Sequence, residues 1–279
     1  MNWPAPAKIN LFLHIIGRRS DGYHLLQTAF QFLDYADELS FRVNPHGKIS
    51  RTRELRHVDA DSDLTLRAAR LLKEAAGVSQ GADVTVEKRI PVGSGLGGGS
   101  SDAASTLWAL NELWQKGLSI DELADLGLKL GADVPVFIRG RAALAEGIGE
   151  RLTPVDLPEP WYVVVVPPVQ VPTAEVFAAF ARARGLTPYT LPRTIRDLHG
   201  GAGRNDLETV VRERYPEVEQ AFRHLAPHGR TRMTGSGGAL FLEVVDAEQG
   251  RRIVAGLPAG FTGFVARGMN RHPLLREVG

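Results

Sequence analysis

The chain has 279 residues, 43% hydrophobic and 23% charged, with 33 Lys plus Arg against 32 Asp plus Glu for a formal net charge of +1, and no cysteine. That length allows two cores, and the near-zero charge, with Arg51, Arg53 and Arg56 interleaved with acids, argues against a nucleic-acid partner or an anionic membrane. Lack of cysteine excludes disulfides, thiolate nucleophiles and cysteine-bound metals, and with no apolar leader and no bilayer-length apolar run the expected location is cytoplasmic.

In chain order, the first informative stretch is PAKINLFLHI at 6–15. Its period-2 pattern predicts a strand with Ile9, Leu11 and Leu13 on one face and Lys8, Asn10, Phe12 and His14 on the other. A lone strand lysine is most often solvated edge protection. Asp21-Gly22 is a turn signal that would expose Tyr23 and His24 whatever they bind. Strand-like stretches dominate the first ninety residues, and helices follow.

At 91–105 the sequence PVGSGLGGGSSDAAS places five glycines within 93–99 and runs directly into a helical pattern. Successive glycines allow positive φ and remove side chains, so several N–H groups can converge on one anion. A helix beginning near Ser100 adds its positive end. The loop therefore reads as a phosphate cradle, against the plainer alternative of a glycine-rich turn without a ligand. Gly93, Gly95 and Gly98 match a dinucleotide fingerprint formally, but the acidic residue that fingerprint requires falls at Asp121 and Glu122, inside a capped helix. No Gly-Lys-Ser/Thr follows the loop, so it is not a Walker A motif either.

Ala103, Leu107, Leu110 and Trp114 recur at helical spacing. Ser119 and Glu122 form a capping box for a second helix, which Gly131 is expected to end in a left-handed cap. Asp133, in LGADVPVF at 130–137, then reads as a cap for the next segment or as a catalytic carboxylate.

Prolines at 154, 158 and 160 mark a join near residue 155, giving an α+β first half, 1–155, and a second half, 156–279. The second half reads strand 162–166, helix 174–184, helix 206–225, strand 231–234, strand 239–245, helix 247–257 and strand 261–267. Apart from the extra helix this is the β-α-β-β-α-β order of ferredoxin-like domains. Between two of those strands lies MTGSGGALF at 233–241, a hairpin turn or a second loop of converging N–H groups at Gly235, Ser236 and Gly237. NDLE at 205–208 reads as a helix start capped by Asn205 or Asp206. Phe177 pairs with Phe180 on a helical face and fits a core as well as a site.

Taken together, the strand around Lys8, the glycine loop, LGADVPVF and MTGSGGALF resemble the GHMP small-molecule kinases, named for galactokinase, homoserine, mevalonate and phosphomevalonate kinases. Residues 5–34 and NDLE extend the likeness to the branch whose acceptor is a cytidine-diphosphate sugar alcohol. The resemblance implies a two-domain fold, its N-terminal half like the second domain of ribosomal protein S5 and its C-terminal half ferredoxin-like, with the site in the cleft between. It implies ATP as co-substrate with Mg²⁺. Pro91, Val92, Gly93, Ser94, Gly95, Leu96, Gly97, Gly98, Gly99, Ser100 and Ser101 would wrap the triphosphate, and Gly235, Ser236 and Gly237 would face the transferring phosphate. Lys8 and Asp133 would carry catalysis; Asn10, Tyr23, His24 and Phe177 would hold the acceptor. For the metal ligand, Ser100, Ser101, Asp102 or phosphates and water alone remain open, as does monomer against homodimer. A non-enzymatic RNA-binding module is the alternative of another class, and the lack of clustered Lys and Arg argues against it.

Overall fold

β1 (Trp3–Arg18) and β2 (His24–Asn44) pair along nearly their whole length as an antiparallel hairpin, the spine of the molecule. The structure, a computed structural model, describes residues 1–20, 22–55, 58–183 and 203–275; the expected turn residue Asp21, Arg56 and the expected helix end Arg184 lie outside them. Pro6 has no N–H for the ladder, and the register shifts between Pro6 and Lys8, again between Asn10 and Leu13, and once more between Ile15 and Gly17. The simple alternation expected for this strand is therefore interrupted, and both its faces are covered. Lys8 is 2% exposed, not the solvated edge residue that a strand lysine usually is.

On β2 the first half adds β3 (Ile49–Arg51), β4 (Gly81–Glu87), β5 (Ala143–Gly147) and β6 (Arg151–Pro154). Against the sheet pack α1 (Leu64–Ala75), α2 (Gly98–Leu113), α3 (Ile120–Leu128) and α4 (Val134–Arg139), and the predicted positions Ala103, Leu107, Leu110 and Trp114 are all in this core. Fully burying such a leucine stabilises by about 1.5–3 kcal/mol. The Ser119–Glu122 capping box forms as expected.

Three local expectations change. Helix α1 went unanticipated, although Asp63 caps it by accepting from the Thr65 N–H at 2.8 Å. Helix α2 starts at Gly98, not near Ser100, because Gly97 takes the left-handed N-cap at φ 75°. Gly131 has no left-handed conformation; α3 ends at Leu128 with Lys129 as its cap, and the Gly131 N–H reaches the Gly127 carbonyl at 3.1 Å.

The second half follows the ferredoxin-like order: β7 (Trp161–Val166), α5 (Thr173–Ala183), α6 (Glu208–Arg214), α7 (Pro216–Leu225), β8 (Arg232–Met233), β9 (Leu240–Val244), α8 (Ala247–Ala255) and β10 (Thr262–Met269). Its strands lie β10-β7-β9-β8, all antiparallel, which is fourth-first-third-second in this half. The single helix expected over 206–225 is two, because Pro216 excludes helical geometry from Tyr215, which sits at φ −123°, ψ 92°. NDLE does not cap in the expected way either: Leu207 is the N-cap residue, without a side-chain bond.

Several sets of contacts hold the halves together. Gly268 and Met269 of β10 pair with Leu33 and Phe32 of β2, making one sheet of ten strands among the described residues. Buried Tyr162 donates to Gln31 Oε1 at 2.8 Å, while Gln31 Nε2 donates to the Pro158 carbonyl at 2.7 Å. Beyond β10 the chain returns to the first half, the Ala142 N–H donating to the Asn270 carbonyl at 2.8 Å and the His272 N–H to the Gly140 carbonyl at 2.9 Å. Among the described residues no helix is long and apolar enough to cross a membrane.

Candidate active site

A cleft of about 740 Å³ opens where β1, the glycine loop, α5 and the loop between β8 and β9 meet. At its floor is the Lys8 ammonium. β1 carries it inward, and its three protons have three acceptors: Asn10 Oδ1 at 2.6 Å, the Gly95 carbonyl at 3.1 Å and Asp133 Oδ2 at 3.2 Å. The ring of Phe30 lies 5.3 Å from the same nitrogen, a cation–π contact. Asp133 occupies the N-cap position of α4, yet its side chain makes no cap bond and turns to Lys8 instead. Packing puts it there. Gly127 lets α4 approach α3 so closely that a Cβ would lie 2.6 Å from Ile138 Cδ1.

Above Lys8 the glycine loop behaves as its composition requires. Gly93, Gly95 and Gly97 have φ of 72°, 83° and 75°. At Gly97 a Cβ would also lie 3.1 Å from the Lys8 stem and 3.0 Å from Phe137, so the residue is needed for space as well as conformation. The first turn of α2 has no side-chain cap, which leaves its leading amides for a ligand. The loop braces itself with Ser94 Oγ on the Pro91 carbonyl at 2.7 Å, Leu96 fills a core cluster, and Ser101 is fully buried. None of these three residues borders the cleft. Ser100 borders the cleft; Pro91 is half-buried and Val92 exposed. Gly97→Ala is expected to displace the Lys8 stem, lowering kcat about tenfold, with about 1–2 kcal/mol of lost stability from the left-handed alanine. Steady-state turnover beside urea denaturation checks this.

The second glycine loop abuts the first. A Cβ on Gly95 would meet the Thr234 carbonyl at 2.8 Å, the Ala239 N–H donates to the Ser94 carbonyl at 2.9 Å, and Gly235 and Ser236 border the cleft. NDLE anchors this loop. Asn205 Nδ2 donates to the Met233 and Gly235 carbonyls at 3.1 and 2.8 Å, and Asp206 accepts from the Ile15 N–H at 2.9 Å.

At the outer end His24 stacks on Phe177, centroids 5.0 Å apart and planes 27° apart, while Tyr23 stands 62% exposed beside them. Phe177 packs on the second core and also lines the cleft. Burial, with the nearby Arg18 charge adding, lowers the His24 pKa and favours the neutral ring. Arg18 also lines the cleft and went unanticipated; its pairing opposite His24 in the hairpin was the available signal. Asp102 does not face the cleft. It pairs with Lys88 at 2.8 Å, and Lys88 also grips buried Asp37, beneath the start of α2.

Residues 63–141 match the GHMP kinases N terminal domain and residues 191–262 the GHMP kinases C terminal domain. The 4-diphosphocytidyl-2-C-methyl-D-erythritol kinase of Aromatoleum aromaticum (strain DSM 19018 / LMG 30748 / EbN1) is 54% identical over 99% of this chain and 96% of its own. The chain belongs to the 4-diphosphocytidyl-2-C-methyl-D-erythritol kinase family of GHMP kinases. The relative of the same name from Pseudomonas aeruginosa (strain LESB58) is 52% identical over 100% of this chain and 97% of its own. A crystal structure of 4-(cytidine 5'-diphospho)-2C-methyl-D-erythritol kinase superposes on this family member with a TM-score of 0.83 at 36% identity, covering 96% of this chain and 99% of that one. Mevalonate kinase of Methanococcus jannaschii, at TM-score 0.71 and 16% identity, covering 97% of this chain and 98% of its own, shares the fold. The kinase is therefore an ATP-dependent small-molecule kinase of the GHMP fold.

Proposed function

We propose that the kinase transfers the γ-phosphoryl group of ATP to the C2 hydroxyl of 4-diphosphocytidyl-2-C-methyl-D-erythritol, giving the 2-phosphate and ADP, as a cytoplasmic step of non-mevalonate isoprenoid precursor synthesis. The observation that carries this reading is the Lys8–Asp133 pair at 3.2 Å, set between a glycine-rich phosphate loop and an aromatic rim fit for a base. The sequence likeness to the relatives named above supports the substrate.

Phosphoryl transfer asks chiefly for in-line positioning and charge neutralisation. Asp133 takes the hydroxyl proton as the bond to phosphorus forms, and Lys8 orients that hydroxyl and offsets the charge that develops on it. Leading amides of α2, with Gly95 and Gly97, hold the triphosphate; Gly235, Ser236 and Gly237 turn N–H groups toward the phosphate in flight. Tyr23 and Phe177 stack the cytosine, the His24 ring hydrogen-bonds its edge, and Asn10 borders the sugar alcohol. No group of three His, Cys, Asp or Glu among the described residues is set to hold a metal, and Asp102 is committed to Lys88. Mg²⁺ would be held chiefly by phosphates and water, with the Ser100 hydroxyl, at the cleft end of the glycine loop, as the protein's own ligand; bound there, it would neutralise the transferring oxygens. We infer a division near residue 155, the join running between β6 and β7.

The test is ADP release from ATP with the cytidine compound beside mevalonate, homoserine and galactose. Turnover with the cytidine compound alone is the expected result. Preference for another alcohol would retain the kinase and discard this acceptor, and silence with all four would sink the reading.

A further inference from the structure

We propose that Thr234 is a positioning residue for phosphoryl transfer: its hydroxyl, together with that of Thr28, fixes the Asn10 carboxamide so that the amide oxygen faces the Lys8 ammonium. This rests on the roles of Lys8 and Asp133 given above.

A hydroxyl has one proton to give. Thr28 gives its proton to the Phe12 carbonyl at 2.5 Å, so toward Asn10 it can only accept, and the group facing it at 2.9 Å is Asn10 Nδ2. Thr234 Oγ1 accepts the Asn10 backbone N–H at 2.8 Å, which leaves its proton for Asn10 Oδ1 at 3.3 Å. Both hydroxyls therefore select the same amide orientation, the one that presents Oδ1 to Lys8 Nζ at 2.6 Å. A reversed amide would set an NH₂ group against the ammonium and oppose donor to donor at Thr234.

The effect on Lys8 follows from its proton count. An ammonium has three donors, spent on Asn10, Gly95 and Asp133. Loss of the Asn10 acceptor frees it to rotate about its stem, away from the line between Asp133 and the phosphates. Thr234 also bears on the second acceptor, because its carbonyl stands over Gly95. Yet Thr234 is fully buried and does not border the cleft. Its influence on the reaction passes through Asn10 and Lys8, with no contact to either substrate.

The experiment compares Thr234→Val, Thr234→Ser and Thr28→Val in the full chain, alone and with Lys8→Met, by kcat, KM and melting temperature. Thr234→Val is expected to lower kcat about tenfold with KM for ATP within about twofold of wild type, Thr234→Ser to restore it, and Thr234→Val to change almost nothing further once Lys8 is Met. A purely structural hydroxyl would give the same fractional loss in both backgrounds; that outcome, or a wild-type kcat in folded Thr234→Val, overturns the proposal. If Thr234→Val does not fold, Thr28→Val is read by the ¹⁵N resonance of the Lys8 ammonium, because Thr28 borders the cleft and its kcat could change by direct contact. Failure of the wild type to phosphorylate the cytidine compound would instead overturn the function. The ¹⁵N resonance of the Lys8 ammonium then still decides: a slow-exchanging signal lost in Thr234→Val and regained in Thr234→Ser supports the positioning role, and one unchanged by the valine refutes it.

Discussion

Asp133→Asn is expected to lower kcat by about 10²–10⁴ while leaving the affinity for ATP unchanged, since a positioned base contributes on that order and the amide cannot accept the proton. The change is well isolated. Asp133 makes no helix-cap bond to lose, and its side chain is 36% exposed, so stability should fall by no more than about 1 kcal/mol. Lys8 keeps Asn10 and the Gly95 carbonyl as acceptors, so it stays in the cleft. Steady-state kinetics beside titration of a non-hydrolysable ATP analogue separates the two effects, and a kcat within about twofold of wild type would remove Asp133 from the chemistry.

Lys88→Met is expected to have the largest effect on stability. Lys88 bridges Asp37 and Asp102, both buried, and Asp37 accepts in addition from the Arg89 and Ile90 N–H groups. Removing the cation leaves Asp37 buried without its counter-charge and takes a hydrogen-bond donor from Asp102, and breaking a buried pair in this way costs about 3–5 kcal/mol. That is a large share of the total of about 5–15 kcal/mol that holds a domain folded. Urea denaturation measures it; Lys88→Met with Asp37→Asn and Asp102→Asn should recover most of the loss, and an unchanged midpoint in the single variant would refute the account.

The same cluster sets a pH dependence. Burial, reinforced by the Asp37 charge and opposed by Lys88, pushes the Asp102 carboxyl up to about 8. A pKa raised on folding means that the native state holds the proton more tightly. Its contribution is whole below the ordinary carboxylate range and is lost as pH rises through about 8. Wild-type stability should therefore decline between about pH 4 and about pH 8, with Asp102→Asn flattening the decline.

Much of the site was legible because its chemistry is local in sequence. Five glycines before a helix announce a close approach to backbone whatever the ligand, and the alternation of strand and helix after residue 160 gives the β10-β7-β9-β8 sheet. Other features were present but unread. Pro216 is a helix-start signal within the expected helix, and Asp63 with the Thr65, Ala68, Ala69 and Leu72 spacing marks α1. The burial of Lys8 was not legible from its strand. A strand pattern reports which residues share a face, not whether another part of the chain will cover it, and the acceptors of Lys8 include a carbonyl from Gly95 and a carboxylate from Asp133. Thr28 and Thr234 were silent for the same reason: one hydroxyl has no periodicity, and its meaning lies in which proton it has already given away.

The closing of the sheet through Gly268 and Met269 bears on how the protein is made. Until β10 is made, β2 lacks its second partner at Phe32 and Leu33, and Gly140 lacks the segment at His272. The first half is complete at about residue 155, roughly a hundred residues before its final contacts exist. Pairings of such separation form slowly, after the cost of closing a long loop has been met. The nascent chain thus carries an open strand edge at Phe32 and Leu33 until β10 has been made.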